Sequence, residues 1–305
     1  MRELLDTLVA EGRAAAARGR CAQYIPALSR ADPRAVGIAV TSADGGLERA
    51  GDSSTRFTVQ SVSKAMALAY VMGAGGEDKV FSRVGKEPSG DPFNSIIRLE
   101  TSERGRPFNP MINAGAIVVS GLMPGITGRE KVEGLASFVA DVLGREDLGI
   151  DEEVYASEEA TANRNRSIAW FLKELGLIDG QVDETLDAYF RQCALLLDAA
   201  DLSRFAAMLA LDGLTAGSGR RVISERDARI VKSLMLTCGL YDGSGEFCAE
   251  AGLPAKSGVG GGIMASARGR LGIGSFGPAL DERGNSIAGQ LMIARLSKEL
   301  GLSAL

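Results

Sequence analysis

Both ends of the chain carry a β-hairpin pattern beside an amphipathic helix, and this pairing limits the folds open to the sequence. Apolar residues at helical spacing within 2–18 precede a strand pattern at 35–42 and a return strand at 47–51. The far end has two strand-like segments within 254–276 and then a helical pattern at 286–300. We therefore predict an α/β (α+β) fold in which both ends build one antiparallel sheet flanked by helices.

The middle of the chain has a mainly helical pattern with irregular polar segments between the helices. At 305 residues, the chain is long enough for one domain with two lobes. We predict a single domain over 1–305, with a sheet lobe at about 1–65 and 220–305 and a helical lobe at about 66–219. Residues 57–60 have a strand pattern, and we expect them to extend the same sheet.

The composition argues against several kinds of partner and site. The net charge is −5 without a concentrated basic face, so we expect no nucleic-acid partner. No apolar run approaches the roughly 18 residues of a membrane span, and the first residues do not resemble a signal peptide, which favours a cytoplasmic protein without a membrane partner. The chain has no histidine and its four cysteines form no Cys-x-x-Cys motif, so we expect reduced thiols and neither metal nor cofactor.

Ser61 and Lys64 are a candidate nucleophile and base. The strand pattern of Phe57–Val59 changes at this point to the helix-forming run that leads to Tyr70. Ser61 would lie beside unpaired backbone N–H groups at a helix start, with Lys64 one turn later. Partial desolvation would lower the basicity of the lysine until its neutral amine can take the serine proton. The structural alternative is a serine N-cap and a solvated lysine, but the absence of histidine excludes imidazole as the base.

Other polar residues also have a structural and a ligand-binding interpretation. Tyr24 precedes a proline-marked turn and could simply pack its ring in the core. Asn113, at the start of a small-residue helix, could cap that helix or direct its amide at a ligand. Glu158 alone could be an exposed helix acid. The glycines within 258–262 do not open a helix in a βαβ unit, so we expect them to let a strand pass close to a ligand.

Three motifs stand in one order along the chain: Ser61-x-x-Lys64, Tyr241 and Lys256-Ser-Gly258. This order resembles the serine β-lactamases and penicillin-binding proteins. The sequence is more similar to a family of the same fold group, the serine-dependent glutaminases. The motifs that carry this resemblance are Gln60-Ser-Val-Ser-Lys64, Gly85-Lys-Glu-Pro-Ser-Gly90, Pro92-Phe-Asn-Ser95, Asn109-Pro-Met-Ile-Asn-Ala-Gly-Ala-Ile117, Arg164-Asn165, Cys238-Gly-Leu-Tyr241, Pro254-Ala-Lys-Ser-Gly-Val259 and Gly261-Gly-Ile263.

The resemblance implies a β-lactamase-like fold and the hydrolysis of L-glutamine to L-glutamate and ammonia. It implies that Ser61 attacks the side-chain amide to form a glutamyl ester, with Lys64 as its base and Tyr241 as a partner in proton transfer. The backbone N–H groups of Ser61 and Val259 would form the oxyanion hole. It further implies a homodimer or homotetramer and a substrate site formed by Tyr24, Gln60, Ser61, Asn113, Glu158, Asn165, Tyr189, Tyr241 and Val259.

Simple chemistry is consistent with glutamine, which carries an ammonium and a carboxylate. Glu158 could neutralise the ammonium, and donors on residues such as Asn165 and Tyr189 could hold the carboxylate. Two positions depart from the family: Phe108 replaces a residue that is often polar, and the sequence between Glu158 and Asn165 leaves the placing of Glu158 open. Two other functions also stay open, namely an acyl-enzyme acting on β-lactams or D-amino acid peptides, and a glutamine-binding protein without turnover.

Overall fold

The structure is a computed structural model of the chain, and it describes residues 1–89 and 105–305. The sequence motif at 85–90 therefore extends beyond the described residues, and the motif at 92–95 lies outside them. Within the described part of the chain, no helix is long and apolar enough to cross a membrane.

About half of the described residues lie in α-helices. In order they are α1 (Arg2–Ala16), α2 (Ser63–Gly75), α3 (Glu77–Phe81), α4 (Asn113–Leu122), α5 (Gly128–Leu143), α6 (Glu152–Thr161), α7 (Asn163–Glu174), α8 (Val182–Cys193), α9 (Ala199–Ala210), α10 (Glu225–Cys238), α11 (Ser244–Ala251) and α12 (Ile287–Leu300). The strands are β1 (Gly37–Ser42), β2 (Leu47–Gly51), β3 (Phe57–Thr58), β4 (Leu196–Leu197), β5 (Ala255–Ser257), β6 (Gly262–Ala267) and β7 (Leu271–Phe276).

Five strands form one antiparallel sheet in the order β2-β1-β7-β6-β5. The first strand lies beside the last, with Gly37 opposite Phe276 and Ser42 opposite Leu271. Both ends of the chain therefore share one sheet, which confirms the predicted architecture. Of the two strand-like segments within 254–276, the first is divided into β5 and β6, because the glycines at 258, 260 and 261 turn the chain back on itself.

The prediction that residues 57–60 extend this sheet is wrong. Strand β3 pairs instead with β4 in a separate two-stranded sheet, and the Val59 N–H continues this pairing by donating to the Leu195 carbonyl at 2.9 Å. Phe57 contacts the large sheet through its side chain, whose ring stacks on that of Phe276 with the ring centroids 4.5 Å apart. This arrangement brings the next residues to the boundary between the sheet and the central helices.

Helices cover both faces of the large sheet. On one face, Ile273 of β7 is buried with Leu8 of α1 and Met292 of α12. On the other face, the side chain of residue 274 is reduced to hydrogen, and a Cβ at Gly274 would lie 2.0 Å from the Ala199 carbonyl oxygen. Glycine in β7 therefore allows α9 to pack directly on the sheet. The division into lobes near residues 65 and 220 stays a prediction.

Candidate active site

Ser61 lies in a single turn between β3 and α2, at the junction that the sequence predicts. The turn is a 3-10 helix over Gln60–Val62, and Gln60 has a φ of 49°, a left-handed conformation that is uncommon outside glycine. The hydroxyl of Ser63 is fully buried and donates a 2.7 Å hydrogen bond to the Gln60 carbonyl, which closes the turn. Ser61 is only half-buried and lines a cavity, so it is the serine of this turn that a ligand can reach.

Lys64 occupies the first turn of α2 and is almost completely buried. Its Nζ donates hydrogen bonds to Asn113 Oδ1 at 2.7 Å and to the Met111 carbonyl oxygen at 3.3 Å. Burial lowers the pKa of Lys64 to about 8, while Cys193 and Glu158 act in the opposite direction. A neutral fraction large enough for a general base is therefore present at mildly alkaline pH.

Asn113 links Lys64 to the substrate side of the cavity. Its Oδ1 accepts from Lys64, and its Nδ2 donates to Asn165 Oδ1 at 3.0 Å. The alternative that it caps α4 is wrong, because Asn113 is the first residue of the helix and makes no capping hydrogen bond. Asn109 serves the entry to this helix instead, since its Oδ1 accepts from the Met111 and Ile112 N–H groups.

Glu158 is a buried carboxylate with one unpartnered oxygen. It lies on α6, whereas Asn165 lies on α7, because the helical segment breaks at Ala162. Among the described residues, nothing hydrogen-bonds to Glu158 Oε2. Burial raises the pKa of Glu158 to about 8, and this rise is opposed by the charge of Lys64 and by a hydrogen bond from Gln60. A buried oxygen without a donor is expensive unless a ligand supplies one, so Glu158 has the properties of a cation-binding group.

Tyr241 lies within hydrogen-bonding reach of Ser61. It begins a 3-10 turn after α10, and its φ of 53° is again left-handed. Burial raises the pKa of Tyr241, and a side-chain hydrogen bond with Ser61 opposes that rise. Lys256 Nζ lies 4.8 Å from the centre of the Tyr241 ring. Tyr241 therefore keeps its proton near neutral pH and holds it beside the candidate nucleophile.

The glycine-rich segment after β5 passes directly against the Ser61 turn. A Cβ at Gly258 would lie 3.2 Å from the Ser61 amide nitrogen, and one at Gly260 would lie 2.1 Å from the Thr58 carbonyl oxygen. This closeness explains why the segment lacks side chains at both positions. Val259 stands between the two glycines, so its backbone lies close to that of Ser61.

Ser61, Asn113 and Glu158 line a cavity of about 240 Å³, whereas Lys64, Tyr241 and Val259 are not part of its lining. Tyr24 stands at its rim with 58% of its surface exposed, so the alternative that this ring packs in the core is wrong. Tyr189 forms part of the wall and is buried. The full lining is Tyr24, Ile25, Gln60, Ser61, Asn113, Glu158, Thr161, Ala162, Arg164, Asn165, Tyr189 and Cys193.

Comparison with known proteins places the chain in a family. The family model described as glutaminase matches residues 19–305. The chain belongs to the glutaminase family. Glutaminase 2 of Clostridium perfringens is 48% identical over 303 residues, which are 99% of this chain and 99% of that one. The crystal structure of a probable glutaminase from Bacillus subtilis has a TM-score of 0.93 and 40% identity, covering 100% of this chain and 97% of that chain.

A further glutaminase structure from Bacillus subtilis is a covalent complex with 5-oxo-L-norleucine, formed by reaction of that protein with 6-diazo-5-oxo-L-norleucine. It has a TM-score of 0.91 and 38% identity, covering 100% of this chain and 99% of that chain. These matches confirm the predicted family, fold class and activity. The chain is an enzyme of the glutaminase family that hydrolyses L-glutamine to L-glutamate and ammonia.

The glutaminase site contains residues that the sequence analysis did not select. Cys193, Thr161 and Arg164 line the cavity, and the Met111 carbonyl accepts from Lys64. Arg164 stands beside Asn165 in a motif of the resemblance, so its position was available as a signal. Cys193 and Met111 carry no such signal, because a buried thiol and a backbone carbonyl contribute through their placement alone.

Proposed function

We propose that this glutaminase acts through an acyl-enzyme on Ser61, with Lys64 as the base. The observation that carries the proposal is the burial of Lys64 one turn from a cavity-lining serine, with a pKa lowered to about 8. With that pKa, about a tenth of the lysine is neutral at pH 7. A neutral amine can take the Ser61 proton as the hydroxyl oxygen attacks the side-chain carbonyl carbon of glutamine.

Tyr241 is the proton donor for the leaving group in this proposal. Attack by Ser61 forms a tetrahedral oxyanion, which the N–H groups of Ser61 and Val259 stabilise. Tyr241 gives its proton to the amide nitrogen as the C–N bond breaks, ammonia leaves, and Lys64 returns its proton to the tyrosine. Water then attacks the glutamyl ester with Lys64 again as base, which releases glutamate and restores the Ser61 hydroxyl.

Glu158 holds the substrate ammonium in the proposed complex. Its Oε2 is buried without a donor among the described residues, and the ammonium of glutamine supplies donors and charge. Asn165 and Tyr189 hold the carboxylate, while Asn113, Gln60 and Tyr24 complete the walls and rim. The cavity of about 240 Å³ is smaller than the roughly 300–1,000 Å³ of sites for drug-sized ligands, which favours a free amino acid over a β-lactam or a peptide.

The remaining expectations are proposals of the same kind. We propose a homodimer or homotetramer, a cytoplasmic location, no metal or cofactor, and no nucleic-acid or membrane partner. The net charge of −5 supports the absence of a nucleic-acid partner. Light scattering on the protein as it elutes from a size-exclusion column measures the oligomeric state. A monomer at working concentration would contradict the proposed homodimer or homotetramer.

Ammonia release tests the proposed mechanism. Wild type and Ser61→Ala are compared on L-glutamine, with L-asparagine and a chromogenic β-lactam as parallel substrates. We expect turnover of glutamine alone, lost by several orders of magnitude in the variant. Ser63→Ala is the matched control, since its buried hydroxyl closes the turn and does not line the cavity, and it should keep activity within about tenfold while losing about 1 kcal/mol of stability. Retained activity in Ser61→Ala would overturn the assignment of Ser61 as the nucleophile. Loss of activity in Ser63→Ala alone would assign the nucleophile to Ser63 instead.

A further inference from the structure

The backbone that carries Tyr241 is strained. Its φ of 53° is left-handed, and such a conformation in a bulky residue persists only where the surroundings hold it. The two residues before it, Gly239 and Leu240, connect α10 to the Tyr241 turn. Hydrogen bonds to the carbonyl groups of these two residues therefore help to hold the Tyr241 backbone in this conformation.

The Gly239 carbonyl is held by the strand that also carries the Lys256 motif. It accepts from Lys256 Nζ at 2.7 Å and from the Ser257 N–H at 3.2 Å. The neighbouring Leu240 carbonyl accepts from Asn285 Nδ2 at 3.2 Å and from the Gly243 N–H at 2.9 Å. Asn285 is therefore one of two side chains that reach Leu240. The other is Ser244, whose hydroxyl accepts from the Leu240 N–H at 3.0 Å and donates to the Tyr241 carbonyl at 2.9 Å.

Asn285 is itself locked in place. It is fully buried at the end of a turn over 281–285, where its backbone N–H donates to Asp281 Oδ1 and its carbonyl accepts from the Asp281 N–H, both at 2.9 Å. Its Oδ1 accepts from the Ser257 hydroxyl at 2.6 Å. The Leu240 carbonyl can only accept, so the NH₂ group of Asn285 must face Leu240 and the Oδ1 atom faces the Ser257 hydroxyl.

The same turn also contacts the catalytic groups through Gly284. A Cβ at Gly284 would lie 3.7 Å from Tyr241 Cε2 and 3.3 Å from Val259 Cγ1, and its φ of 91° favours glycine. The turn therefore packs against the ring of the proposed proton donor and against the residue of the proposed oxyanion hole. Asn285 does not line the cavity.

We propose that Asn285 is a positioning residue that holds Tyr241 in register with Ser61. The proposal rests on the proposed role of Tyr241 in proton transfer. Without its NH₂ group, the Leu240 carbonyl loses a buried donor, the left-handed turn relaxes, and the Tyr241 hydroxyl moves away from Ser61. Proton delivery to the leaving nitrogen then slows. Glutamine binding changes little, because the residues that hold the substrate do not contact Asn285.

A double-mutant cycle tests this inference. Asn285→Ala, Tyr241→Phe and the double variant are compared by kcat and KM for glutamine, with thermal unfolding as the check on folding. We expect Asn285→Ala to lower kcat about 10- to 100-fold and to change KM by less than about threefold. In the Tyr241→Phe background, the same change should cost less than about threefold. Ser297→Ala is the control, because Ser297 is buried in the same region and donates 2.6 Å to the Ala251 carbonyl, so it should lower stability and leave kcat unchanged.

A second substrate distinguishes positioning of Tyr241 from general damage. The S-methyl thioester of L-glutamate releases a thiolate that leaves without a proton, so both Asn285→Ala and Tyr241→Phe should slow its hydrolysis less than that of glutamine. If Asn285→Ala does not fold, Asn285→Asp replaces it, since it keeps the size and the acceptor for Ser257 but lacks the donor for Leu240.

Several outcomes would overturn the inference. Equal loss of kcat from Asn285→Ala with and without Tyr241, equal slowing of glutamine and thioester, or a rise of KM at constant kcat would each do so. Full turnover by Tyr241→Phe would instead remove the proposed role of the tyrosine, and the inference with it. If Tyr241→Phe does impair the enzyme, and the losses of kcat from Asn285→Ala and Tyr241→Phe are additive in the double variant, the inference about Asn285 is wrong while the proposed role of Tyr241 stands.

Discussion

Lys64 Nζ donates a 2.7 Å hydrogen bond to Asn113 Oδ1, so the proposed base is held by an amide and not by a carboxylate. A neutral acceptor orients the lysine without adding a charge that would favour its ammonium form. Burial can therefore lower the pKa of Lys64 to about 8. The Asn113 Nδ2 group in turn donates a hydrogen bond to Asn165 Oδ1. A chain of hydrogen bonds therefore connects Lys64 to a residue that we propose holds the substrate carboxylate.

Asn113→Asp tests this arrangement. A carboxylate beside Lys64 favours the ammonium, so the pKa of the lysine rises and less of it is neutral at a given pH. We expect kcat/KM at pH 7 to fall about tenfold or more, with the alkaline rise moved to higher pH. Asn163→Asp, which adds the same charge at an exposed position of α7, is the control. An unchanged pH profile in Asn113→Asp would show that the amide does not set the basicity of Lys64.

Glu158→Gln tests the proposed ammonium site. The variant keeps the shape but removes the charge that balances the substrate ammonium, and a truncated buried ion pair costs about 2–5 kcal/mol. We expect KM for glutamine to rise about a hundredfold with a smaller change in kcat. Glu159→Gln removes the same charge from the exposed neighbouring residue and should leave KM unchanged. Steady-state kinetics of both variants measure these KM values. A KM in Glu158→Gln equal to that in Glu159→Gln would mean that Glu158 does not bind the substrate.

The pH dependence of kcat/KM tests whether two groups titrate together. Lys64 must lose a proton to act as base, and Glu158 must lose one to bind the ammonium; burial raises the pKa of Glu158 to about 8 and lowers that of Lys64 to about 8. Both requirements make activity rise with pH, so log kcat/KM should climb with a slope near two below about pH 7. In Glu158→Gln the slope should fall to one. The rise should also move to lower pH there, because the Glu158 charge raises the pKa of Lys64.

Gly258→Ala tests the close approach on which the proposed oxyanion hole depends. The new Cβ would lie 2.5 Å from the Val59 carbonyl oxygen and 3.2 Å from the Ser61 amide nitrogen, so the segment must move away from the serine. Loss of one oxyanion donor lowers kcat about 100- to 1,000-fold, and we expect a decrease of that order. Gly245→Ala, which has open space around it inside α11, should keep full activity. Normal turnover in Gly258→Ala would place the oxyanion elsewhere.

Local sequence patterns predicted those elements whose formation depends mainly on neighbouring residues. The strand patterns at 35–42 and 47–51 predicted the hairpin of β1 and β2, whose strands are joined by the Asp44-Gly-Gly46 turn, and α5 ends at Gly144, which adopts a left-handed φ of 67°. The pairing of β3 with β4 could not be predicted, since two-residue strands have no periodicity and long-range contacts decide their partner. The break between α6 and α7 has no glycine or proline to mark it.

The candidate site divides in the same way. The nucleophile pair follows from local spacing and from the absence of histidine, whereas the substrate residues depended on the family resemblance. Asn285 lies in the turn just before α12, and nothing nearby in sequence indicates that its amide reaches Leu240, 45 residues earlier. Roles that act through backbone carbonyls are set by tertiary packing, so they become visible only when the chain is folded.

The most direct test of the central claim is to find which atom becomes covalently attached. The protein is reacted with 6-diazo-5-oxo-L-norleucine, the reagent that forms a covalent complex with a Bacillus subtilis glutaminase, and the labelled peptides are mapped by mass spectrometry. The account predicts one adduct, located on Ser61 and absent in Ser61→Ala. A label on Ser63, Cys193 or Tyr241 in wild type, with Ser61 unmodified, would contradict it.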